Sequence, residues 1–352
     1  MRENEDNAGV SRIVIACESD ARRWDDYILA AEQATPFHLF GWREVIEEVY
    51  GFRPFYLMAL GRKDAVTGIL PVIEVRAING RKAACSLPFC NYGGLCAADN
   101  NTGRALLEHL EGLAGERNWK SVQLRCLFPP AEPLSSLSAG YVTQIVALPK
   151  DNETFFAGLD RKLRWTIRKA ECEPFRIEIG PEKVGDFYRV YSENMRDLGT
   201  PSHPQSFFEN ILLKFGGRAN LILLYLGREP VGGMLTFHFK DQLSDPWASS
   251  RKKYFSLFPN YLLYAEAFKY AISLDAAQFD LGRSLRDSGT FDFKMKWKPE
   301  VKELYYGDLL SGGTKATWLK HRNKLNLASR LYRRLPLTVS RFVGPFLRRY
   351  LP

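Results

Sequence analysis

Residues that build metal and redox centres are scarce in this sequence. Its 352 residues include five histidines and six cysteines. No two cysteines form a C-x-x-C pair, and no histidine lies at ligand spacing from a cysteine. We therefore expect no metal site, and we expect reduced, buried thiols of the kind found in cytosolic proteins. A Ser-His-Asp order, a G-x-G-x-x-G motif and a Walker loop are also absent, so triad, dinucleotide and P-loop chemistry are not indicated.

Long apolar segments are missing as well. No run approaches the ~20 apolar residues needed to cross a bilayer. The first ten residues, MRENEDNAGV, are polar and lack the apolar segment of a secretory signal. With 45% hydrophobic and 25% charged residues, the composition is that of a globular protein long enough for two domains. These features together predict a cytoplasmic location.

Positive charge is concentrated at the C-terminal end. Residues 313–352 contain ten Lys and Arg and no Asp or Glu, which leaves 39 basic and 40 acidic residues in the first 312. The net charge of +9 therefore belongs to this tail and is no argument that the rest of the chain binds nucleic acid. Pro336 and Pro345 predict two or three short helices rather than one long one.

This basic tail fits three different partners. Cations mixed with Trp, Leu and Phe are typical of segments that lie on an anionic membrane, which here would be the inner face of the cytoplasmic membrane. Transfer RNA is the rival polyanion. The structural alternative is a helix that packs on the second domain and keeps its arginines in water.

Two halves of the chain repeat a local pattern. Residues 56–70 and 223–235 each read as an apolar strand, a Gly-Arg turn and a second strand with an internal glycine. A repeat at this scale predicts two copies of one α/β unit. Glycine inside a strand often marks a bulge, and Asn79-Gly80 predicts a hairpin turn.

Residues 280–300 form the most informative stretch. They follow an apolar strand at 278–281 and read as a loop that begins at Gly282. Loops at the carboxyl ends of strands commonly bind ligands in open α/β sheets. Cations and aromatic rings alternate here, a pattern that suits an anionic substrate. We therefore predict Arg283, Phe293 and Trp297 as binding residues. The alternative is that the aromatic residues form core and the lysines a solvated face.

Other candidate binding residues lie on a helix and in two loops. Arg161, Arg164 and Arg168 recur at i,i+3 and i,i+4 on a helix predicted for residues 153–171, a stripe that suits phosphate or another anion. A solvated helical face is the alternative. A loop at residues 198–204 contains His203, and a Gly-rich loop that starts at Cys90 contains Asn91 and Tyr92. These loop residues suit a cleft between the domains, whereas the alternatives are a structural histidine and a plain turn.

The order of four segments resembles a known family. The segments are SLPFCNYGG, RKLRWTIRKAE, LGTPSHP, and GRS followed by DSGTFDFKMKW. In this order they resemble the FemAB-like N-acyltransferases of the GNAT superfamily, which carry a BioF2-like acetyltransferase domain. The branch most similar to this sequence is the FemAB-related one that accompanies exosortase (PEP-CTERM) and exopolysaccharide systems. The resemblance covers about residues 12–312.

This resemblance implies a fold and a domain division. We expect an α/β (α+β) protein with two tandem GNAT-like domains, each a mixed, mostly antiparallel sheet flanked by helices. The domains would span residues 1–140 and 141–312, and a basic helical tail would span residues 313–352. In GNAT-like folds a bulged central strand lets the acyl donor lie against backbone groups.

The resemblance also implies an activity. The expected enzyme is an acyltransferase that moves an acyl or aminoacyl group to an amine of a cell-envelope or exopolysaccharide precursor, an anionic glycan or a lipid-linked molecule. Lys294 matches the lysine of the family motif near the transferred group, and it would stabilise the oxyanion. Asp280 and Asp292 are candidate proton acceptors, with helix or turn capping as the alternative. His203 would lie beside the acceptor site. The alternative function is a non-catalytic binding module with the same fold.

The acyl donor is left open by the sequence. Acetyl-CoA-dependent GNAT enzymes carry a Gly-rich turn for pyrophosphate, but the corresponding residues 254–260 contain no glycine. The FemAB-like branch also lacks this turn, and its known members use aminoacyl-tRNA. Lys252, Lys253 and the helix start at Asn260 can still meet a phosphate. We therefore expect no tightly bound cofactor, and a donor that is an aminoacyl-tRNA, an acyl-CoA or another acyl thioester.

Overall fold

The computed structural model describes residues 10–129, 140–311 and 322–351. It divides into two compact units. The described part of the first unit comprises residues 10–129 and 304–311, and that of the second comprises residues 140–303 and 322–351.

The strands, numbered in chain order, are β1 (Arg12–Ile15), β2 (Arg53–Pro54), β3 (Leu57–Leu60), β4 (Val66–Leu70), β5 (Ile73–Arg76), β6 (Lys82–Cys85), β7 (Cys96–Ala97), β8 (Val122–Cys126), β9 (Tyr141–Ala147), β10 (Phe175–Gly180), β11 (Ala219–Leu226), β12 (Glu229–Phe239), β13 (Gln242–Ser250), β14 (Gln278–Asp280), β15 (Ser284–Leu285), β16 (Glu300–Glu303) and β17 (Tyr305–Asp308). The α-helices are α1 (Ala21–Ala30), α2 (Gly41–Tyr50), α3 (Asn100–Arg117), α4 (Asn152–Ala157), α5 (Arg161–Glu171), α6 (Val184–Leu198), α7 (Gln205–Phe215), α8 (Pro259–Ser273), α9 (Gly289–Met295), α10 (Arg322–Tyr332) and α11 (Leu337–Arg348).

The first unit contains two sheets with a helix packed between their apolar residues. One sheet has the order β1-β3-β4-β7 and the other β17-β8-β6-β5-β2, with β6 and β8 as its parallel pair. α3 starts where the Asp99 carboxylate accepts the Thr102 N–H at 2.8 Å, and it ends at Asn118 in the left-handed conformation. Leu106 and Leu110 of α3 are fully buried in the core of this unit. The predicted hairpin is confirmed, because β5 and β6 pair antiparallel around Gly80 at φ +77°.

The second unit is built on one sheet. Its order is β10-β11-β12-β13-β14-β9-β15, and β16 pairs with β9. Neighbours in this sheet are antiparallel except for β13 and β14, which are parallel. The mixed, mostly antiparallel α/β class predicted from the sequence is therefore confirmed. α5 and α8 cover one side of the core, where Ile167, Leu263 and Phe268 are buried.

The internal glycines mark bulges in both units, as predicted. The register of β3 against β4 shifts beside Gly68, and that of β11 against β12 shifts beside Gly232. A Cβ added at Gly68 would lie 2.8 Å from the Thr102 methyl carbon, so helix α3 packs against the backbone of β4 at this point. Glycine therefore serves two needs here: it allows the bulge and the close approach.

Two predicted elements differ from those observed. The helix predicted at residues 153–171 is two helices, α4 and α5, because the chain leaves the helical conformation between Gly158 and Asp160. The predicted loop within residues 280–300 contains α9, whose first turn is capped by Ser288 through its Oγ and the Phe291 N–H at 3.2 Å. This capping signal was present in the sequence and was missed.

Residues 305–308 belong to the first unit, although the predicted boundary put them in the second domain. β17 pairs antiparallel with β8, and Asp308 is opposite Gln123. The Asp308 carboxylate also accepts the Ser121 hydroxyl at 2.6 Å and the Val122 N–H at 3.2 Å. These ladder and side-chain bonds fix the segment to a strand that lies far away in sequence.

The basic tail forms the hairpin α10–α11 on the second unit. Pro336 separates the two helices as predicted, but Pro345 lies inside α11 and does not end it. Arg341 of α11 donates through Nε to the Ser192 Oγ of α6 at 2.9 Å. Gly344 packs so closely that an added Cβ would lie 2.8 Å from the Ser202 Oγ. The predicted alternative, a tail packed on the second unit, is therefore the conformation of the described tail residues.

Predictions for residues 313–321, including the cations Lys315 and Lys320, lie outside the described residues. Within the described ranges, no helix is long and apolar enough to cross a membrane.

Candidate active site

The sheet of the second unit opens where β13 and β14 separate. The two strands pair at only three positions, and the last joins Ser244 to Asp280. β13 then continues to Ser250, whereas the Leu281 N–H donates to the Gln144 carbonyl oxygen of β9 at 2.9 Å. Beyond Ser244, this edge of β13 has no strand partner in the described part of the chain. An open strand edge offers its backbone groups to an extended ligand.

A β-bulge lies at the start of this open segment. The register of β12 against β13 shifts between Leu235 and Phe237, where β13 has one extra residue. Pro246 lies in the irregular segment, where its missing N–H costs least. Bulges redirect neighbouring side chains, and the neighbour here is Asp245, which is only 4% exposed.

Three buried ionisable groups meet beside the bulge. They are Asp245 of β13, Asp280 at the end of β14 and Lys294 of α9, and each is at most 5% exposed. Burial lowers the pKa of Lys294, and the nearby Asp245 and Asp280 carboxylates oppose that shift. Buried charges persist only when they are paired in this way. The arrangement is therefore one coupled cluster.

Asp245 has the properties of a proton acceptor. Burial raises its pKa to about 7, against the opposing effect of Lys294. Neither carboxylate oxygen accepts a hydrogen bond of normal geometry from the described residues, although the Tyr264 hydroxyl lies near enough to stabilise the charge. Burial and this carboxylate raise the pKa of Tyr264 well above its usual value, so the phenol stays protonated. A carboxyl group that titrates near neutral pH is suited to general acid–base chemistry.

Asp280 and Lys294 hold the turn after β14 from two sides. The Asp280 carboxylate accepts the Thr143 hydroxyl at 2.5 Å and the Gly282 N–H at 2.9 Å. The Lys294 Nζ donates to the Gly282 carbonyl oxygen at 2.8 Å and to that of Arg283 at 3.3 Å. The lysine ammonium has three N–H donors, and these two hydrogen bonds to the backbone engage two of them. Both residues predicted at the site therefore lie in the cluster, where their observed contacts fix the backbone.

Asp292 does not join this cluster. It lies on α9 two residues before Lys294, and a separation of two residues places side chains on different faces of a helix. Lys294 is buried, whereas Asp292 is exposed. The structure therefore does not support the prediction that Asp292 accepts a proton at this site.

The aromatic residues of the predicted stretch are mostly core. Trp297 is 1% exposed and packs against Phe268 with ring centroids 4.9 Å apart. Phe293 is half-buried and lies edge-on to Tyr264 at 5.2 Å. Arg283 stacks over the Tyr141 ring at 4.9 Å. A substrate contact of Trp297 is excluded in this conformation because the core surrounds the indole.

Two of the three predicted arginines line a common cleft. Arg164 and Arg168 of α5 face Lys269 of α8 across a cleft of about 290 Å³, whereas Arg161 is not among its lining residues. The Arg164 Nε is buried and has no hydrogen-bond partner among the described residues. Glu171 also lines the cleft and pairs with Lys269 at 3.2 Å. The cleft is thus less cationic than the sequence stripe suggested.

The predicted phosphate-binding residues precede α8. Lys252 is exposed, but Lys253 is paired with Glu229 at 2.9 Å. α8 begins at Pro259, with Asn260 as its second residue, and proline provides no N–H. This helix start therefore offers an anion fewer donors than a Gly-rich turn does.

His203 is part of the packed interior of the second unit. It is fully buried, and its ring stacks on Phe207 with centroids 4.3 Å apart. The Arg348 Nε donates to the His203 Nε2 at 3.3 Å, and burial followed by this cation lowers the pKa of the histidine. The predicted substrate contact is thus not available in this conformation, because the tail and the aromatic side chains enclose the ring.

Asn91 and Tyr92 belong to the first unit. Tyr92 is fully buried and packs edge-on against Phe37 at 5.0 Å. The Tyr306 hydroxyl donates to the Asn91 carbonyl oxygen. Tyr92 is therefore a core residue rather than a cleft residue.

Sequence reasoning missed Asp245 and Tyr264. Asp245 lies in the middle of β13 and belongs to none of the segments that carry the family resemblance. The Asp245-Pro246 pair within an apolar strand was the available signal, since a proline in a strand interior indicates a bulge. Tyr264 lies on an almost wholly apolar helix and gave no signal.

Comparison with known proteins agrees with this geometry. Residues 157–295 match the model of the acetyltransferase (GNAT) domain. The crystal structure of FemX is similar with a TM-score of 0.65 and 13% identity, over 88% of this chain and 99% of that one. L-PGS from Bacillus licheniformis gives 0.52 and 13%, over 92% and 100%. A tandem GNAT protein from the clavulanic acid biosynthesis pathway gives 0.54 and 13%, over 87% and 99%. No curated protein matches the chain.

The family match and the parted, bulged strands define the class of this protein: it is an acyltransferase with a GNAT domain in its second unit. The same fold as FemX and as a tandem GNAT protein extends over both units. The GNAT assignment that the motif order predicted is therefore confirmed for residues 157–295, and the fold of the chain is similar to that of FemX.

Proposed function

We propose that this protein transfers an acyl or aminoacyl group from an activated donor to an amine of a cell-envelope or exopolysaccharide precursor. The donor is an aminoacyl-tRNA or an acyl thioester. The observation that carries the proposal is the position of Asp245, a buried carboxyl with a pKa near 7, at the bulge where β13 loses its strand partner.

The chemistry follows from this arrangement. The amine nitrogen attacks the donor carbonyl carbon, so a C–N bond forms and the C–O or C–S bond of the donor breaks. Asp245 accepts the amine proton and then returns it to the leaving oxygen or sulfur. Lys294 supplies positive charge to the developing oxyanion, and the open edge of β13 aligns an extended donor by backbone hydrogen bonds. The substrate reaches the buried carboxylate through the gap between the strands.

The donor class follows from the loop before α8. Lys253 is already paired with Glu229, and Pro259 has no N–H to offer a pyrophosphate. This composition favours a donor whose activation does not depend on a Gly-rich turn, and therefore an aminoacyl-tRNA over a coenzyme A thioester.

The test is an assay of the purified chain with labelled donors. Acetyl-CoA, an acyl-carrier thioester and mixed aminoacyl-tRNAs are each supplied with an amino-sugar acceptor, and label transfer is followed by mass spectrometry. We expect transfer from at least one donor, and we expect Asp245→Asn to reduce it about 100-fold or more. Equal rates in the Asp245→Asn and wild-type proteins would refute the assignment of Asp245.

One observation favours a second function. Lys294 donates to two backbone carbonyl oxygens, and both carboxylate oxygens of Asp245 are buried. Such a cluster also serves to hold the turn after β14 in a protein that binds a precursor without transforming it. In that case the Asp245→Asn protein would bind the precursor normally, and no donor would be consumed by the wild type.

A further inference from the structure

The hairpin α10–α11 has an inner face fixed to the body of the second unit. On α11, Ser340 and Gly344 are buried, and the Arg348 Nε donates to the His203 Nε2 at 3.3 Å. On α10, Tyr332 is 6% exposed and its hydroxyl donates to the Ser340 carbonyl oxygen at 3.0 Å. The hairpin is therefore held in a defined orientation.

The opposite faces of both helices expose large apolar side chains. On α11 they recur at i, i+3 and i+7, and on α10 at i and i+4, which places each set on one side of its helix. Their exposed fractions are Leu327 64%, Leu331 59%, Val339 41%, Phe342 85% and Phe346 61%. Two adjacent helices with such faces leave far more apolar surface in water than single scattered residues do.

The charge of the hairpin is of one sign. Arg330, Arg333, Arg334 and Arg349 accompany the apolar residues, and the sequence has no Asp or Glu after Asp308. Arg333 and Arg334 are exposed, as is Arg330. Long cationic side chains with an apolar face between them are the pattern of helices that lie in a membrane interface.

We propose that α10 and α11 dock this protein on an anionic lipid bilayer, with Phe342 and Phe346 inserted and the arginines at the phosphate headgroups. A second copy of the chain fits the surface poorly, because two faces with cations alone repel each other. RNA fits it less well than a bilayer, since three of the five exposed apolar side chains are leucine or valine, which cannot stack on bases. The proposal does not depend on the proposed acyl transfer.

The test is flotation of the full-length protein with phosphatidylcholine vesicles that contain or lack phosphatidylglycerol. We expect binding to the anionic vesicles, reduced by salt, and little binding to the neutral ones. The double substitution Phe342→Ser, Phe346→Ser should weaken partitioning about tenfold or more, because each buried phenylalanine contributes strongly to insertion. Leu213→Ser is the matched control: Leu213 lies on α7 of the same unit and is 76% exposed, and its loss should change nothing.

A second variant tests the electrostatic part. Arg330→Gln with Arg334→Gln should weaken binding to anionic vesicles about tenfold and make that binding less sensitive to salt. Thermal melts keep folding separate, since all four substituted side chains are exposed or half-exposed in the hairpin. The proposal is overturned if the phenylalanine variant floats like wild type. It is also overturned if wild type fails to float and sedimentation shows a dimer that this variant dissolves, or if wild type fails to float and binds tRNA through the same residues.

Discussion

Replacement of Asp245 by asparagine should change how the stability of this protein depends on pH. The native pKa of Asp245 is raised to about 7 from a usual value of 3.8, chiefly by burial. The folded state therefore binds the proton more tightly than the unfolded state. Stability is greatest while the carboxyl is protonated in both states, and it falls as pH rises from about 4 to about 7.

The size of this effect follows from the two pKa values. Between pH 5 and pH 8, linkage gives a loss of about 2–3 kcal/mol in the free energy of unfolding for wild type. Asparagine has no such titration, so the variant should lose less stability over the same interval.

Urea unfolding at pH 5 and pH 8 measures the effect, with the transition of the second unit followed separately by hydrogen exchange. Asp292→Asn is the control, because Asp292 is an exposed carboxylate on the same α9 as Lys294. Parallel pH dependences in wild type and Asp245→Asn would refute the raised pKa. If the raised pKa is correct and Asp245 is the base, transfer activity should also rise with pH through about 7 in wild type and lose this dependence in the variant.

Two further substitutions follow from the same contacts. Lys294→Met should destabilise the second unit by about 3–5 kcal/mol at neutral pH, because it leaves Asp245 and Asp280 buried without their cation. Denaturation at pH 5, where Asp245 is protonated, should show a smaller loss of stability. An equal loss at both pH values would contradict the coupling between Lys294 and Asp245. Gly344→Ala should loosen α11, because the added Cβ would lie 2.6 Å from the Tyr332 hydroxyl oxygen and 2.8 Å from the Ser202 Oγ. Hydrogen exchange in α11 should therefore increase. The control is Gly112→Ala, which has open space at its Cβ and should leave hydrogen exchange in α3 unchanged.

Local sequence signals determined most of the elements and their order. The Asn79-Gly80 turn, the Gly68 and Gly232 bulges and the Pro336 break are each encoded by a few neighbouring residues. Such signals are read reliably because backbone conformation responds to nearest neighbours. The family motif similarly identified Lys294, and Asp280 was proposed separately as a proton acceptor; both lie in the buried cluster.

The tertiary structure decided which side chains face one another. Asp245, Asp280 and Lys294 come from two strands and a helix, and their proximity depends on the parallel pairing of β13 with β14. The sequence marks His203 and Trp297 as reactive and aromatic side chains, but only packing shows that both are enclosed. Burial is also what moves the pKa of Asp245 toward neutrality, because the cost of removing a charge from water depends on every neighbouring element and not on the residues adjacent in sequence.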